Sequence, residues 1–167
     1  LKVQKNRTAK MKHFEYLAPA EGDPRKPFLE SLLEALPKDG CVLVYNKTFE
    51  SKILGFLKEW FPRHRKAIDR ILGNIVDLMV PFQEMDVYYW KMKGSHSLKS
   101  VLPALVPKMR YDRMAISDGG MAASAWLDMM ETDDRSAIRE TRKALLEYCG
   151  MDTFAMVKIL EKLRAFC

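Results

Sequence analysis

The stretch Cys41-Val42-Leu43-Val44-Tyr45-Asn46-Lys47-Thr48-Phe49-Glu50 joins a continuous apolar run to a segment of helical periodicity, and the fold is read outward from that junction. An unbroken apolar run suits a strand covered on both faces of a sheet. Downstream, a helix is expected from about Glu50 to Trp60, with Ile53, Leu54, Leu57 and Phe61 on one side and Phe61-Pro62 closing it. A further short helix to Leu72 leads through Gly73-Asn74 into the strand-like run Ile75 to Val80, which Pro81 ends. Upstream, Met11 to Leu17 reads as a strand. Asp23-Pro24 then opens a helix with Phe28, Leu29, Leu32, Leu33 and Leu36 at helical spacing, and Pro37 and Gly40 stop it. Strands alternating with helices imply an α/β sheet with crossover helices.

Residues 83 to 96 lack a period and hold Tyr88, Tyr89 and Trp90 beside Lys91 and Lys93, so they read as loop. Ser97 caps a short helix through Val101 and Leu102, limited by Pro103 and Pro107. Helices are expected from Asp118 or Gly119 to Met130 and from Ser136 to about Phe166, giving a helical C-terminal half.

The whole is one domain, residues 1–167, because 167 residues with 48% apolar composition suit one sizeable core. A net charge of +6 attracts anions without proving nucleic-acid binding. The longest apolar runs, Cys41 to Tyr45 and Ile75 to Phe82, are strand-sized, which excludes a membrane helix. Cys41, Cys149 and Cys167 form neither a disulfide framework nor a zinc knuckle, which points to a reducing, cytoplasmic setting. Leu1-Lys2-Val3-Gln4, with no initiator Met or signal pattern, reads as a cut end.

Chemistry is sought where a polar group interrupts a core face. The apolar stripe of the last helix, Ile138, Leu145, Cys149, Met156, Ile159 or Leu160 and Leu163, runs through Asp152, and Tyr148 lies one turn before it on the same side. A buried carboxylate must neutralise, hydrogen-bond, meet a cation or sit at a cleft. A structural Tyr beside a capped or solvated Asp accounts for the same pattern. Asn46 and Glu50, four apart where strand passes to helix, occupy a favoured ligand position in α/β sheets, and helix capping is the competing explanation. His13, His64 and His96 show no ligand spacing. Tyr88, Tyr89 and Trp90 with Lys91, Lys93 and Lys99 either form a stacking and phosphate-contacting rim for single-stranded nucleic acid or pin the loop to the domain.

These residues resemble the DnaQ-like (DEDD) 3′–5′ exonucleases of the ribonuclease H-like superfamily. That family's second motif is a buried strand followed by His-Asn-x-x-Phe-Asp, to which Tyr45-Asn46-Lys47-Thr48-Phe49-Glu50 is similar, with Tyr for His and Glu for Asp. The third motif of its tyrosine subclass, Tyr-x-x-x-Asp on a late helix, is matched by Tyr148-Cys149-Gly150-Met151-Asp152. Val76-Asp77-Leu78 resembles the strand after motif two, and Ser97-Leu98-Lys99-Ser100-Val101-Leu102 the family's Ser-Leu-Lys helix. More closely, Asp23-Pro24-Arg25, Val44-Tyr45-Asn46, Gly94-Ser95, Lys99 to Pro103, Tyr148-Cys149 and Asp152-Thr153 look like an uncharacterised bacterial family within that superfamily.

The resemblance implies a ribonuclease H-like mixed sheet flanked by helices and a nuclease acting on a DNA or RNA 3′ end. Four carboxylates would hold two Mg²⁺ or Mn²⁺ ions about 4 Å apart. Glu50 and Asp152 would be metal ligands, and Tyr148 would orient or help deprotonate the attacking water. Asn46, Lys93, Lys99, Tyr89 and Trp90 would contact nucleic acid. The Asp-x-Glu of the first strand has no counterpart, and Glu15 does not supply it. The expectation is therefore an N-terminally incomplete sheet, two carboxylates of four, weakly bound metal or none, and little activity alone. Unpaired sheet edges would invite a dimer or strand pairing, and the chain is read as part of a larger multidomain protein. The alternative is a non-catalytic nucleic-acid-binding or protein-docking domain of the same shape.

Overall fold

The computed structural model describes residues 1–112 and 114–166. It is a mixed α/β chain in the order β1 (Lys2–Val3), β2 (Lys12–His13), α1 (Arg25–Ala35), β3 (Val42–Val44), α2 (Lys47–Trp60), α3 (Arg65–Gly73), β4 (Ile75–Asp77), α4 (Val80–Gln83), α5 (Leu98–Leu105), α6 (Gly119–Glu131) and α7 (Arg135–Arg164). Pro62–His64 and Trp90–Met92 form 3-10 turns. Cys167 lies outside the described residues.

The expected single mixed sheet is instead two separate strand pairs. β1 and β2 run antiparallel, with Lys2 opposite His13 and Val3 opposite Lys12. β3 and β4 run parallel, with Val42, Leu43 and Val44 opposite Ile75, Val76 and Asp77. β4 is thus the one paired neighbour of β3 among the described residues, so β3 does not occupy the centre of a wider sheet.

Two strands are shorter than expected. Of Met11 to Leu17 only Lys12–His13 is strand, and Phe14 beside it exchanges backbone hydrogen bonds with Leu1 at 2.9 and 2.8 Å. Ile75 to Val80 stops being a strand after Asp77, whose carboxylate accepts the Met79 N–H and bends the chain into α4. Pro81 therefore sits in the first turn of a short helix, where a missing N–H costs nothing. Pro103, expected to limit α5, lies inside it, and the helix ends at Leu105.

The core has two parts. Around β3 and β4, Leu29 of α1, Leu54 and Leu57 of α2 and Ile68 and Ile71 of α3 pack on Val44 and Ile75. The second part joins Val101, Leu102 and Leu105 of α5 to Ala155 and Ile159 of α7, with Phe82, Met92 and Tyr111 between them. Fully burying one such aliphatic side chain contributes about 1.5–3 kcal/mol. Tyr45, at the end of β3, packs against this second cluster and donates its hydroxyl proton to the His96 carbonyl at 2.7 Å. The Arg142 guanidinium of α7 donates to the Leu17 and Ala18 carbonyls at 2.9 and 2.6 Å, tying the N-terminal segment to the long helix. Among the described residues, no helix is long and apolar enough to cross a membrane.

Candidate active site

The turn after β3 is set by Asp77 at the end of β4. Its carboxylate accepts the Asn46 N–H at 3.0 Å, the Lys47 N–H at 2.7 Å and the Met79 N–H at 2.9 Å. Asn46 takes a left-handed conformation, φ 76°, which Asn tolerates better than most residues, and its side chain makes no capping bond. The first turn of α2 is therefore capped by a residue some thirty positions downstream, so the expected capping role passes from Asn46 to Asp77. Asn46 itself is exposed.

Glu50 lies one turn into α2, half-buried, with Oε2 buried and without a hydrogen-bond partner. Burial raises its pKa above the ordinary carboxylate value; its own backbone N–H lowers it, and the Asp77 charge raises it further. Such an oxygen is a ready acceptor for a proton donor or a cation.

On α7, the inward line runs from buried Leu145 through half-buried Tyr148 and Asp152 to buried Ala155 and Ile159, spaced three and four apart, so Asp152 does interrupt the inward face. Cys149, expected on that stripe, is exposed. Burial raises the Asp152 pKa, while the Tyr111 and Tyr148 hydroxyls and the Lys99 charge partly offset it by favouring the carboxylate. Tyr111 and Tyr148 have tilted rings 6.4 Å apart. Both phenols are pushed well above the ordinary tyrosine value, by burial first and by Asp152 next, so both stay neutral. The Tyr111 hydroxyl is buried without a hydrogen-bond partner of good geometry.

The N-terminus of α6 closes over Tyr148: a Cβ on Gly119 would stand 4.0 Å from the Tyr148 hydroxyl. Asp118 accepts the Met121 N–H at 2.8 Å and lies 3.6 Å from the Lys99 ammonium. The Lys99 charge also acts on Asp152.

The two halves meet through aromatic rings. Tyr45 and Tyr148 both pack on the cluster containing Tyr111, and the Asp152 charge acts on Tyr111. Asp77 in turn acts on Tyr45 and on Glu50. A surface cleft of about 560 Å³ between β2 and α7 is lined by residues including His13, Glu15, Arg139 and Arg142, and contains none of Glu50, Tyr148 and Asp152.

The donor set does not build a two-ion centre. Asp77 is committed to three backbone amides, Asp152 stands between two phenols, and no group of three or more Asp, Glu, His or Cys side chains is placed to share an ion among the described residues. Glu50 Oε2 is the one carboxylate oxygen among them that is buried without a partner.

Tyr111 as a site element and the capping role of Asp77 are not legible in the sequence. The run around Tyr111 has no period that marks it, and the role of Asp77 depends on parallel pairing that brings it beside residue 46. In the loop before α5 the aromatics do not pin the chain: Met92 and Val87 pack inward, whereas Trp90 is 75% exposed and Tyr88 and Tyr89 are exposed too. The Lys91 ammonium lies 5.8 Å from the Trp90 ring centre. Lys93, in the left-handed region at φ 51°, and Lys99 on α5 are exposed.

Comparison with protein-family models matches residues 1–97 to the Domain of unknown function (DUF2779). The chain belongs to this family. The DUF2779 match contains Asn46, Glu50, Asp77 and the aromatic loop and stops before α5, so Tyr111, Tyr148 and Asp152 lie outside it. No curated protein and no solved structure matches the chain.

Proposed function

We propose that the chain is an exonuclease-like domain of ribonuclease H-like type that engages the 3′ end of a DNA or RNA strand, and that the residues present carry little or no hydrolysis by themselves. The observation behind this reading is the approach of two segments about a hundred positions apart: the β3–α2 junction and the Tyr148–Asp152 turn of α7 are joined through Tyr45 and Tyr111. A strand end offers hydroxyls and bases that Tyr111, Tyr148 and Asp152 can hydrogen-bond, and the Lys99 cation meets a phosphate. Tyr148, held neutral, orients a water or hydroxyl as a donor and does not act as a base. Trp90 and Tyr89 supply a stacking face, with Lys93 for the backbone.

Glu50 and Asp152 are two acids where a two-ion centre uses four, and Mg²⁺ gives up its waters reluctantly, so one weakly held Mg²⁺ or Mn²⁺ is the most this set supports. A non-catalytic nucleic-acid-binding domain is the second reading, favoured by the commitment of Asp77 to backbone amides.

The test is a labelled single-stranded oligonucleotide titrated with the chain, then incubated with Mg²⁺ or Mn²⁺. Saturable binding weakened by Trp90→Ala, with slow or absent cleavage, is the expected result. Rapid metal-dependent cleavage abolished by Asp152→Ala would show that the ligand set is larger than assigned here. Absence of binding to DNA and RNA alike would overturn the proposal.

A further inference from the structure

Helix α2 carries two apolar faces, and among the described residues only one is packed into the core. Leu54, Leu57 and Phe61 pack inward, whereas Phe49, Ile53, Phe56 and Trp60 form a second row that is exposed, Phe49 by 63% and Trp60 by 50%. The row has spacings of four, three and four, the a/d repeat of a helix seam. Phe56 and Trp60 stack at 5.8 Å, so the row is ordered into one surface. Four large apolar side chains in one row are more than scattered surface residues, and this row plays no part in the candidate site.

The flanking charges identify the occupant. With Phe49 and Phe56 as d positions and Ile53 and Trp60 as a positions, Lys52 and Glu59 fall at successive g positions. Lys52 leans over the Phe56 ring at 5.9 Å, as a long cationic stem at a seam edge does, and neither Lys52 nor Glu59 makes an ion pair among the described residues. When such a helix meets a second copy of itself running antiparallel, a layers face d layers and g positions face g positions. Ile53 then meets Phe56 of the second copy, Phe49 meets Trp60, and Lys52 meets Glu59. Two-fold symmetry repeats each contact on the other side of the axis. A parallel pairing would instead set g against e, and the e positions, Glu50 and Leu57, already face inward.

We infer that the exposed face of α2 is a self-complementary dimerisation surface on which two copies of this chain pack antiparallel, with Lys52 of each against Glu59 of the other. Arg25, whose guanidinium stands 4.7 Å from the Trp60 ring centre, screens the outer end of the seam. A contact confined to one helix is small, so the dimer is weak and concentration-dependent. This inference is independent of the proposed nuclease-like function.

The test is sedimentation velocity of the 167-residue chain over a concentration series, with the circular dichroism melt of each variant as a fold check. The wild type should pass from monomer to dimer. Phe56→Glu should stay monomeric with an unchanged melt, since Phe56 is already exposed. Lys52→Glu and Glu59→Lys should each raise the dimer Kd several-fold, because each sets like charges opposite each other twice. The double variant Lys52→Glu/Glu59→Lys should restore wild-type association. A monomer at every concentration, or a dimer insensitive to Phe56→Glu, overturns the inference. Loss of association in both charge singles without rescue in the double overturns the antiparallel second copy and leaves the face to a different partner.

Discussion

Asp77 accepts three backbone amides from two different turns, and a charged acceptor of that kind cannot be replaced by water without loosening both. Asp77→Ala should lower the unfolding free energy by about 2–4 kcal/mol, read from urea melts, with Asp77→Asn recovering part of it because an amide oxygen still accepts. Glu50 and Asp152 act in the opposite direction. Both have pKa values raised chiefly by burial, so the folded chain holds their protons more tightly than the unfolded chain does. Stability therefore falls as pH rises from about 4, the ordinary carboxylate value, through the folded pKa of each group. Glu50→Gln and Asp152→Asn should flatten that fall, and each should melt no lower than wild type at neutral pH. A melt that drops sharply in Asp152→Asn at neutral pH would mean that the negative charge is needed structurally. Exposed Asp23 is the contrast: its hydrogen bonds with Arg25 hold its pKa down at about 2.

At the scale of the element, the loop between α4 and α5 separates anchoring from presentation. Met92 is buried in the core and Trp90, two positions earlier, faces solvent. Met92→Ala should cost about 2–5 kcal/mol of stability, whereas Trp90→Ala should leave the melt unchanged. From the proposed strand-binding role, Trp90→Ala should weaken single-stranded oligonucleotide affinity by about 1–3 kcal/mol, measured by fluorescence anisotropy. Helix α7 begins at Asp134, whose carboxylate accepts the Ser136 and Ala137 amides at 2.8 and 3.3 Å. Asp134→Ala should cost about 1 kcal/mol, a normal N-cap loss. The charge of Asp134 also suits the positive end of a helix of 30 residues, although the dipole acts only over the first turn.

For the whole molecule, the Arg142 fork is the tether between the N-terminal segment and α7, spanning more than a hundred positions through two carbonyls. Arg142→Met should destabilise the chain and expose the segment around Leu17 to proteolysis. Arg142→Lys should recover less than half of the loss, because an ammonium lacks the planar fork that reaches both oxygens. Equal behaviour of the Lys variant and wild type would assign the tether to charge alone.

Periodicity and punctuation are local properties, and they made α1, α2, α3, α6 and α7 legible in the sequence to within a few residues. The same holds for the strand at residues 42 to 44, although only Val44 of it is buried, and for Asp152 as a break in the inward face of α7. Strand length and partnership were not legible, because a ladder depends on its neighbour: Ile75 to Val80 looks like one strand, but only Ile75–Asp77 pairs with β3 before the Asp77 carboxylate turns the chain. Nor was the true cap of α2, since Asn46 fits the cap position by type while Asp77 reaches it through space and fills it first. The phenol beside Asp152 that comes from Tyr111, and the outward turn of Trp90, likewise depend on which side chains the core has room to bury. Local sequence determined the elements and their faces; tertiary packing alone decided which polar atoms meet, because hydrogen bonds and charge shifts depend on distances of a few ångströms that no spacing along the chain specifies.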